Sequence, residues 1–223
     1  MTTTTTRRRS RAWAGALALA LAQLLAAASF AAPVPSLDGP NLAQGRWAAM
    51  HMLLQKLVFN VADIDARFDP VTQSRFAQLA DGKPYSPELG HQLALAAIDA
   101  RHAIVQMRFK RDIPLNRWIG VVKDNLEQAR KAGLITRDVE QRVGDSLPQW
   151  FGALKDRGYE KGDRLIYAVT PDAVRSVVVS TSGQVFVDRT EPGPEGRRVV
   201  LGSFFATGSE FREPLLKSMF ESR

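Results

Sequence analysis

The side chains of this 223-residue chain that best suit a binding site lie within one segment, residues 114–131. Trp118, Val121 and Val122 are apolar and recur at helical spacing, and Asn125 lies four residues past Val121 on the same helix face. Apolar side chains in this pattern either line a pocket for an apolar ligand or fill the core, and filling the core is the commoner outcome. The Asn125 amide either hydrogen-bonds a ligand or satisfies a buried backbone group.

Other combinations of reactive side chains are weak in this sequence. The three histidines, His51, His91 and His102, share no metal-ligand spacing, and the chain has no cysteine to supply a thiolate. No Ser-His-Asp arrangement, glycine-rich phosphate loop or pair of acidic residues stands out. We therefore expect no metal site and no cofactor.

A strand that runs directly into a helix positions the segment 114–131. Apolar residues alternate with polar ones from Ala103 to Phe109, as in a strand with one buried face. Pro114 suits the first turn of a helix, where its missing N–H is not needed, and Gly133 suits the helix end. We therefore predict a strand over residues 103–109 and an amphipathic helix over residues 114–131.

The elements that follow are predicted from turn and capping signals. Ser146-Leu147-Pro148-Gln149 has the capping-box pattern, so it is expected to divide residues 136–156 into two helices. Residues 199–205 read as an extended apolar segment, and residues 209–220 as a helix with Pro214 in or near its first turn. Three short strands are predicted between residues 156 and 199, at residues 163–170, 174–181 and 184–190. This order indicates an α+β fold with helices packed on one face of a curved, mainly antiparallel sheet.

The first 31 residues have the three parts of a secretory signal peptide. Four arginines between residues 7 and 11 form the positive region, an alanine-rich apolar run follows, and Ser29-Phe30-Ala31 offers small residues for a signal peptidase. We expect cleavage near Ala31 and a periplasmic or secreted mature protein. The apolar run is shorter than the roughly 20 residues of a membrane span, so an uncleaved anchor is the weaker alternative and no stable span is expected after cleavage.

Removal of the signal peptide changes the charge of the chain. Four of the 30 basic residues leave with it and no acidic residue does, so 26 basic residues remain against 23 acidic ones, a net charge of +3. That balance is ordinary for a soluble surface and gives no footprint for nucleic acid. Residues 32–45 are expected to form an exposed lead-in, and residues 46–223 are long enough for one domain with a full hydrophobic core.

Four segments in a fixed order resemble the chalcone isomerase family, and in particular its bacterial exported branch. These segments are the strand–helix join MRFKRDIPLNRWIGVVKDNL, the Lys161-Gly162-Asp163 start of an apolar strand, the hairpin sequence VRSVVVSTSGQVF and the final FREPLLKSMFES. The resemblance extends from about residue 102 to the C-terminus and is thin over residues 41–68. It implies the family's open-faced sandwich of a curved sheet and a helical layer.

The resemblance also locates the positions that carry the family's chemistry. Its active-site helix carries a Tyr, a Lys three residues later and an Asn four residues further on, and these positions fall on Trp118, Val121 and Asn125. A hydroxyl residue of the last helix falls near Arg212, and an N-terminal Arg corresponds to Arg46. Because an indole is a weak donor and valine carries no charge, the family's polar constellation is largely missing. Arg46 and Asn125 remain as weak catalytic candidates, and residues that the resemblance does not align stay open as others.

The sequence therefore favours a non-catalytic exported protein. We expect it to bind a small apolar or amphipathic molecule, such as a fatty acid, between the helix 114–131 and the sheet. Trp118, Val121, Val122, Asn125 and Arg212 are the predicted ligand-binding residues. Two alternatives stay open, an isomerase or intramolecular lyase of unknown substrate and a structural or partner-binding periplasmic module. The oligomeric state is not indicated by the sequence.

Overall fold

Residues 32–56 and 59–221 are described by the structure, which is a computed structural model. The predicted signal peptide lies outside these residues. A compact unit runs from Pro35 to the C-terminus and holds all the elements below. Its strands are β1 (Ala49–Lys56), β2 (Phe59–Phe68), β3 (Ala103–Phe109), β4 (Arg164–Val169), β5 (Ala173–Val179) and β6 (Val185–Pro192). Its helices are α1 (Pro70–Ala80), α2 (Pro87–Ile98), α3 (Leu115–Lys131), α4 (Arg137–Trp150), α5 (Glu195–Phe205) and α6 (Arg212–Ser218).

The six strands form one antiparallel sheet in which each strand pairs with its neighbours in chain order. The register places one buried apolar side chain of each strand in a row across the sheet. That row is Met52, Ile64, Met107, Leu165, Val178 and Val187. Because side chains alternate between the two faces of a strand, this row marks the face on which the core is built.

The helices pack over this face as a single layer. Helix α3 contacts α4 and α5, α2 contacts α5 and α6, and α6 lies against β1. The predicted class, an α+β open-faced sandwich of a mainly antiparallel sheet and a helical layer, is confirmed.

The predicted strand–helix join is present, with β3 at residues 103–109 and α3 at residues 115–131. Pro114 is the residue before the first helical turn, and the N–H groups of both Arg117 and Trp118 donate to its carbonyl. Gly133 ends the helix with φ at +73°, a left-handed conformation that glycine adopts without steric cost.

Helix α4 is continuous, so the predicted division of residues 136–156 at Ser146 is wrong. Thr136 caps the helix by accepting from the Val139 N–H, and Pro148 lies in the last turn. A proline this close to the end removes one hydrogen bond, and the Phe151 N–H still reaches the Leu147 carbonyl beyond it. The Ser146 hydroxyl donates to the Arg142 carbonyl one turn earlier instead of capping a new helix.

Residues 199–205 are helical, so the predicted extended segment is wrong. They form the main part of α5, which begins at Glu195. Leu201, Phe204 and Phe205 are buried and recur at three- and four-residue spacing, so a helix buries them together on one face. Pro214 is the third residue of α6, inside the first turn as predicted.

Candidate functional site

A cavity of about 310 Å³ lies between helices α3, α4 and α5 and strands β4 to β6. Most of its walls are apolar. The apolar residues that line it are Trp118, Val121, Val122, Leu126, Val143, Leu147, Trp150, Phe151, Val174, Pro192, Val199, Val200, Phe204 and Phe211. The cavity is therefore formed where the sequence predicts a pocket, between the helix 114–131 and the sheet.

Four of the five predicted ligand-binding residues line this cavity: Trp118, Val121, Val122 and Asn125. The fifth, Arg212, does not, since its guanidinium donates to the Thr207 hydroxyl at 2.7 Å and lies 3.4 Å from the His91 ring. The weak catalytic candidate Arg46 is also elsewhere, with its Nε donating to the Met219 carbonyl at 3.3 Å. The structure thus brings the helical candidates together and leaves both predicted arginines outside.

Trp118 belongs both to the core and to the cavity wall. Its side chain is 4% exposed, and its ring makes edge contacts with Phe109 and Tyr159 at centroid distances of 5.6 and 5.8 Å. The indole N–H and the Tyr159 hydroxyl are buried and have no hydrogen-bond partner among the described residues. Leaving such groups unpaired costs free energy. The end of the cavity at Trp118, which we call the inner end, is therefore held by apolar packing and not by polar contacts.

Asn125 has protein partners for both ends of its amide. Its nitrogen donates to the Val121 carbonyl at 2.9 Å, and its oxygen accepts from the Ser209 hydroxyl at 3.1 Å. The Ser209 hydroxyl also lies 2.7 Å from the Ser203 carbonyl oxygen, so its one proton is shared between these two acceptors. Of the two roles that the sequence leaves open, the geometry favours the satisfaction of buried polar groups.

Strands β4, β5 and β6 supply a polar strip on the floor of the cavity. Tyr167, Ser176 and Arg189 are paired in register across these strands, and all three line the cavity. The Tyr167 ring makes an edge contact with Phe204 at 6.3 Å. Burial raises the pKa of the Tyr167 hydroxyl above its usual range, so the phenol stays neutral at ordinary pH.

Two arginine–glutamate pairs lie at the solvent side of the cavity, and we call these four residues the mouth. Arg142 of α4 pairs with Glu195 of α5, and Arg189 pairs with Glu191 on β6. All four side chains are between 39% and 63% exposed, whereas Trp118 at the inner end is almost fully buried. The cavity therefore grades from apolar inside to charged outside.

The charged mouth is the part of the site that sequence reasoning missed. Val187, Arg189 and Glu191 alternate along β6, so they share one face, and Val187 is buried on the helix-covered side of the sheet. The mouth could have been found from a charged residue, Arg189, that lies on the same strand face as the buried Val187. That signal is weak, because a strand at the end of a sheet commonly becomes polar.

Metal-binding groups and membrane-spanning helices are both absent from the described part of the chain. It contains no group of three His, Asp or Glu side chains that could hold a metal ion. Residues 32–56 and 59–221 also contain no helix long and apolar enough to cross a bilayer.

Comparisons with known proteins give a likeness in structure only. No model of a known protein family matches the chain, and no curated protein matches its sequence. A solved structure of a fatty-acid binding protein from Arabidopsis thaliana is similar to 83% of this chain and 92% of its own, with 11% sequence identity and a TM-score of 0.49. The function of this chain therefore rests on the geometry of its site.

Proposed function

We propose that this protein binds a small apolar or amphipathic molecule, of the size of a single acyl chain, in the cavity beside α3. The observation that carries the proposal is the largely apolar cavity of about 310 Å³ enclosed by three helices and the sheet. Ligand pockets in proteins span about 300–1,000 Å³, so this one suits one fatty-acid-like chain better than a lipid with two chains.

The packing around the cavity supports binding. An apolar cavity leaves its lining atoms without van der Waals partners, and a chain that fills it restores those contacts. Trp118, Leu126 and Phe211 are buried parts of the wall and belong to the same core as the sheet. The site is therefore built on helices and strands that hold its shape.

The face of α3 that lines the cavity argues for binding without catalysis. At the helix positions that correspond to the polar residues of the chalcone isomerase family, Trp118 and Val121 offer only a buried, unpartnered indole N–H and a hydrocarbon surface. Asn125 is engaged with Val121 and Ser209. Enolate charge that develops on a substrate would find no cationic donor from this helix face.

Isothermal titration with dodecanoic acid tests the proposal directly. Val122→Phe adds a ring to a residue that lines the cavity, and we expect it to weaken binding at least about tenfold, since overpacking displaces either the ligand or the wall. Val71→Phe makes the same change at a side chain of α1 that is 73% exposed, and it should bind like the wild type. Equal affinity of both variants would contradict the proposed site.

Mass spectrometry of lipids that co-purify with the native protein gives an independent test. We expect an acyl-chain lipid in the wild-type sample and a reduced amount in the Val122→Phe sample. A spectrum without any co-purified lipid, together with no titration signal from dodecanoic acid, would contradict the binding proposal and favour the partner-binding alternative.

We further propose that the protein acts outside the cytoplasm after removal of residues 1–31. The support for this proposal is the arrangement of the four arginines, the alanine-rich run and Ser29-Phe30-Ala31 in the sequence. Cell fractionation followed by N-terminal sequencing should find a mature chain that begins at Ala32. A full-length chain retained in the membrane fraction would favour the uncleaved anchor.

A further inference from the structure

We propose that the ligand is an acid and that the Arg189 guanidinium holds its anionic head at the mouth of the cavity. This inference rests on the proposed function and adds the chemical class and the orientation of the ligand. The carboxylate would lie at the solvent side, beside β6, and the apolar chain would run inward toward Trp118.

Arg189 is positioned for this role by a tryptophan and by its strand. The centre of its guanidinium lies 4.3 Å from the centroid of the Trp150 ring, a cation–π arrangement that keeps the group beside the cavity. Its place on β6, opposite Ser176 on β5, puts it at the end of the polar strip on the cavity floor. The group is therefore held at the boundary between the apolar walls and solvent.

The guanidinium has unused capacity for an anion. Among the described residues its one acceptor is Glu191, which bonds to Nη2, while the neighbouring Nε is buried and has no partner. A carboxylate that bound to both Nε and Nη2 would form the two-pronged pair that arginine favours. Glu191 uses only half of that edge.

Exchange of Glu191 for a ligand carboxylate is energetically reasonable. Glu191 lies two residues from Arg189 on the same strand, and both side chains are more than a third exposed. An exposed ion pair of this kind contributes little to stability, so it can be given up. A fatty-acid carboxylate gains in addition from the burial of its own chain in the cavity, which Glu191 cannot match.

The second arginine of the mouth fits the same ligand. Arg142 comes from α4 and pairs with Glu195 of α5, so this pair spans the mouth between two helices. It places a second guanidinium at the mouth, and because both arginines are paired with a glutamate, the four mouth residues carry no net charge. Binding then draws on both a negative head and an apolar chain, which distinguishes a fatty acid from inorganic phosphate.

Paired titrations with dodecanoic acid and dodecanol at neutral pH test the inference. The wild type should bind the acid at least about tenfold more tightly than the alcohol, because a charge-assisted bidentate pair is worth that much. Arg189→Gln should remove this preference by weakening the acid alone. Glu191→Gln should increase the preference for the acid over the alcohol, since it removes the carboxylate that competes for Arg189.

Arg75→Gln is the matched control, because Arg75 also forms an exposed ion pair, with Asp99, but lies on α1. It should leave both affinities unchanged. Equal weakening of acid and alcohol in Arg189→Gln, or no change in either, would overturn the head-group role while the apolar site stands. If the wild type binds neither ligand, the proposed function fails and this inference fails with it.

Discussion

Asn125 links α3 to the segment that leads into α6, and the structure makes a specific prediction for its loss. Its amide contacts the Val121 carbonyl and the Ser209 hydroxyl, all in buried or partly buried surroundings. Asn125→Ala should lower the free energy of unfolding by about 1–2 kcal/mol, measured by urea denaturation, because a buried hydrogen bond is lost. Asn41→Ala, at an exposed position, should have little effect. Unchanged stability in Asn125→Ala together with lost ligand binding would instead make Asn125 a ligand contact.

Asp69 should make the stability of the protein depend on acid pH. Burial alone would raise the pKa of this carboxyl, but hydrogen bonds from the backbone N–H groups of His102, Thr72 and Arg101 and from the Thr72 hydroxyl lower it below 3.8. A carboxyl with a lowered folded-state pKa stabilises the fold fully above its unfolded value and loses that contribution as the pH falls through the folded value.

Asp69→Asn tests this dependence. At neutral pH the variant should be less stable than the wild type by about 2 kcal/mol, since charge-assisted acceptors for several N–H groups are removed. The difference should shrink in urea titrations as the pH falls from the ordinary aspartate value of 3.8 through the lowered folded-state pKa of Asp69, because the native carboxyl is then protonated as well. Asp38→Asn, at an 80% exposed side chain, is the control. A difference that stays constant into acid would show that Asp69 acts through shape and not through charge.

The residues of the site differ in how far sequence could predict them. Trp118 and Val121 can be found from the sequence because the family resemblance places the active-site positions on them, and helical spacing adds Val122. Arg189 and Arg142 cannot, because their proposed role depends on the meeting of β6, α4 and α5, which are distant in sequence. The same reason explains why Arg212 does not line the cavity. Its place in the last helix does not tell which side of that helix faces the cavity.

Among the elements, the strand–helix join was predictable and α5 was not. Residues 103–131 carry two clear periods separated by Pro114, so local pattern and final structure agree. Residues 199–205 are a short apolar run, which alternation and helical spacing fit about equally well. Tertiary packing decides there, because a helix buries Leu201, Phe204 and Phe205 together while Val199 and Val200 line the cavity.

Two glycines near α3 should respond to alanine with opposite signs. Gly158 has φ at +69°, and a Cβ there would lie 2.5 Å from the Ile113 carbonyl oxygen, just before α3 begins. Gly158→Ala should therefore cost at least about 2 kcal/mol in the free energy of unfolding. A Cβ added at Gly120, within α3, would meet no neighbouring element within 4 Å, so Gly120→Ala should stabilise by about 0.5–1 kcal/mol. Urea midpoints that move in the same direction for both variants would contradict this account of the join.

At the scale of the whole molecule, the proposed binding in the cavity predicts a gain in stability for one part of the fold. The cavity is lined by helices α3, α4 and α5, by strands β4 to β6, and by Phe211 just before α6. None of the described lining residues lies in α1 or β1. A ligand that binds the folded state alone should raise the free energy of unfolding by about 2.7 kcal/mol at a hundredfold excess over its dissociation constant. Because the ligand contacts are confined to these elements, the protection of backbone amides from hydrogen exchange should rise most there.

Thermal unfolding and hydrogen exchange with dodecanoic acid check this coupling together. We expect a higher midpoint for the wild type and for Val71→Phe, and a much smaller shift for Val122→Phe, since the shift follows occupancy of the cavity. Hydrogen exchange should slow in α4 and α5, which meet at the mouth through Arg142 and Glu195, more than in α1. A midpoint shift that Val122→Phe retains, or protection spread evenly over α1 and α4, would mean that the acid binds elsewhere on the molecule.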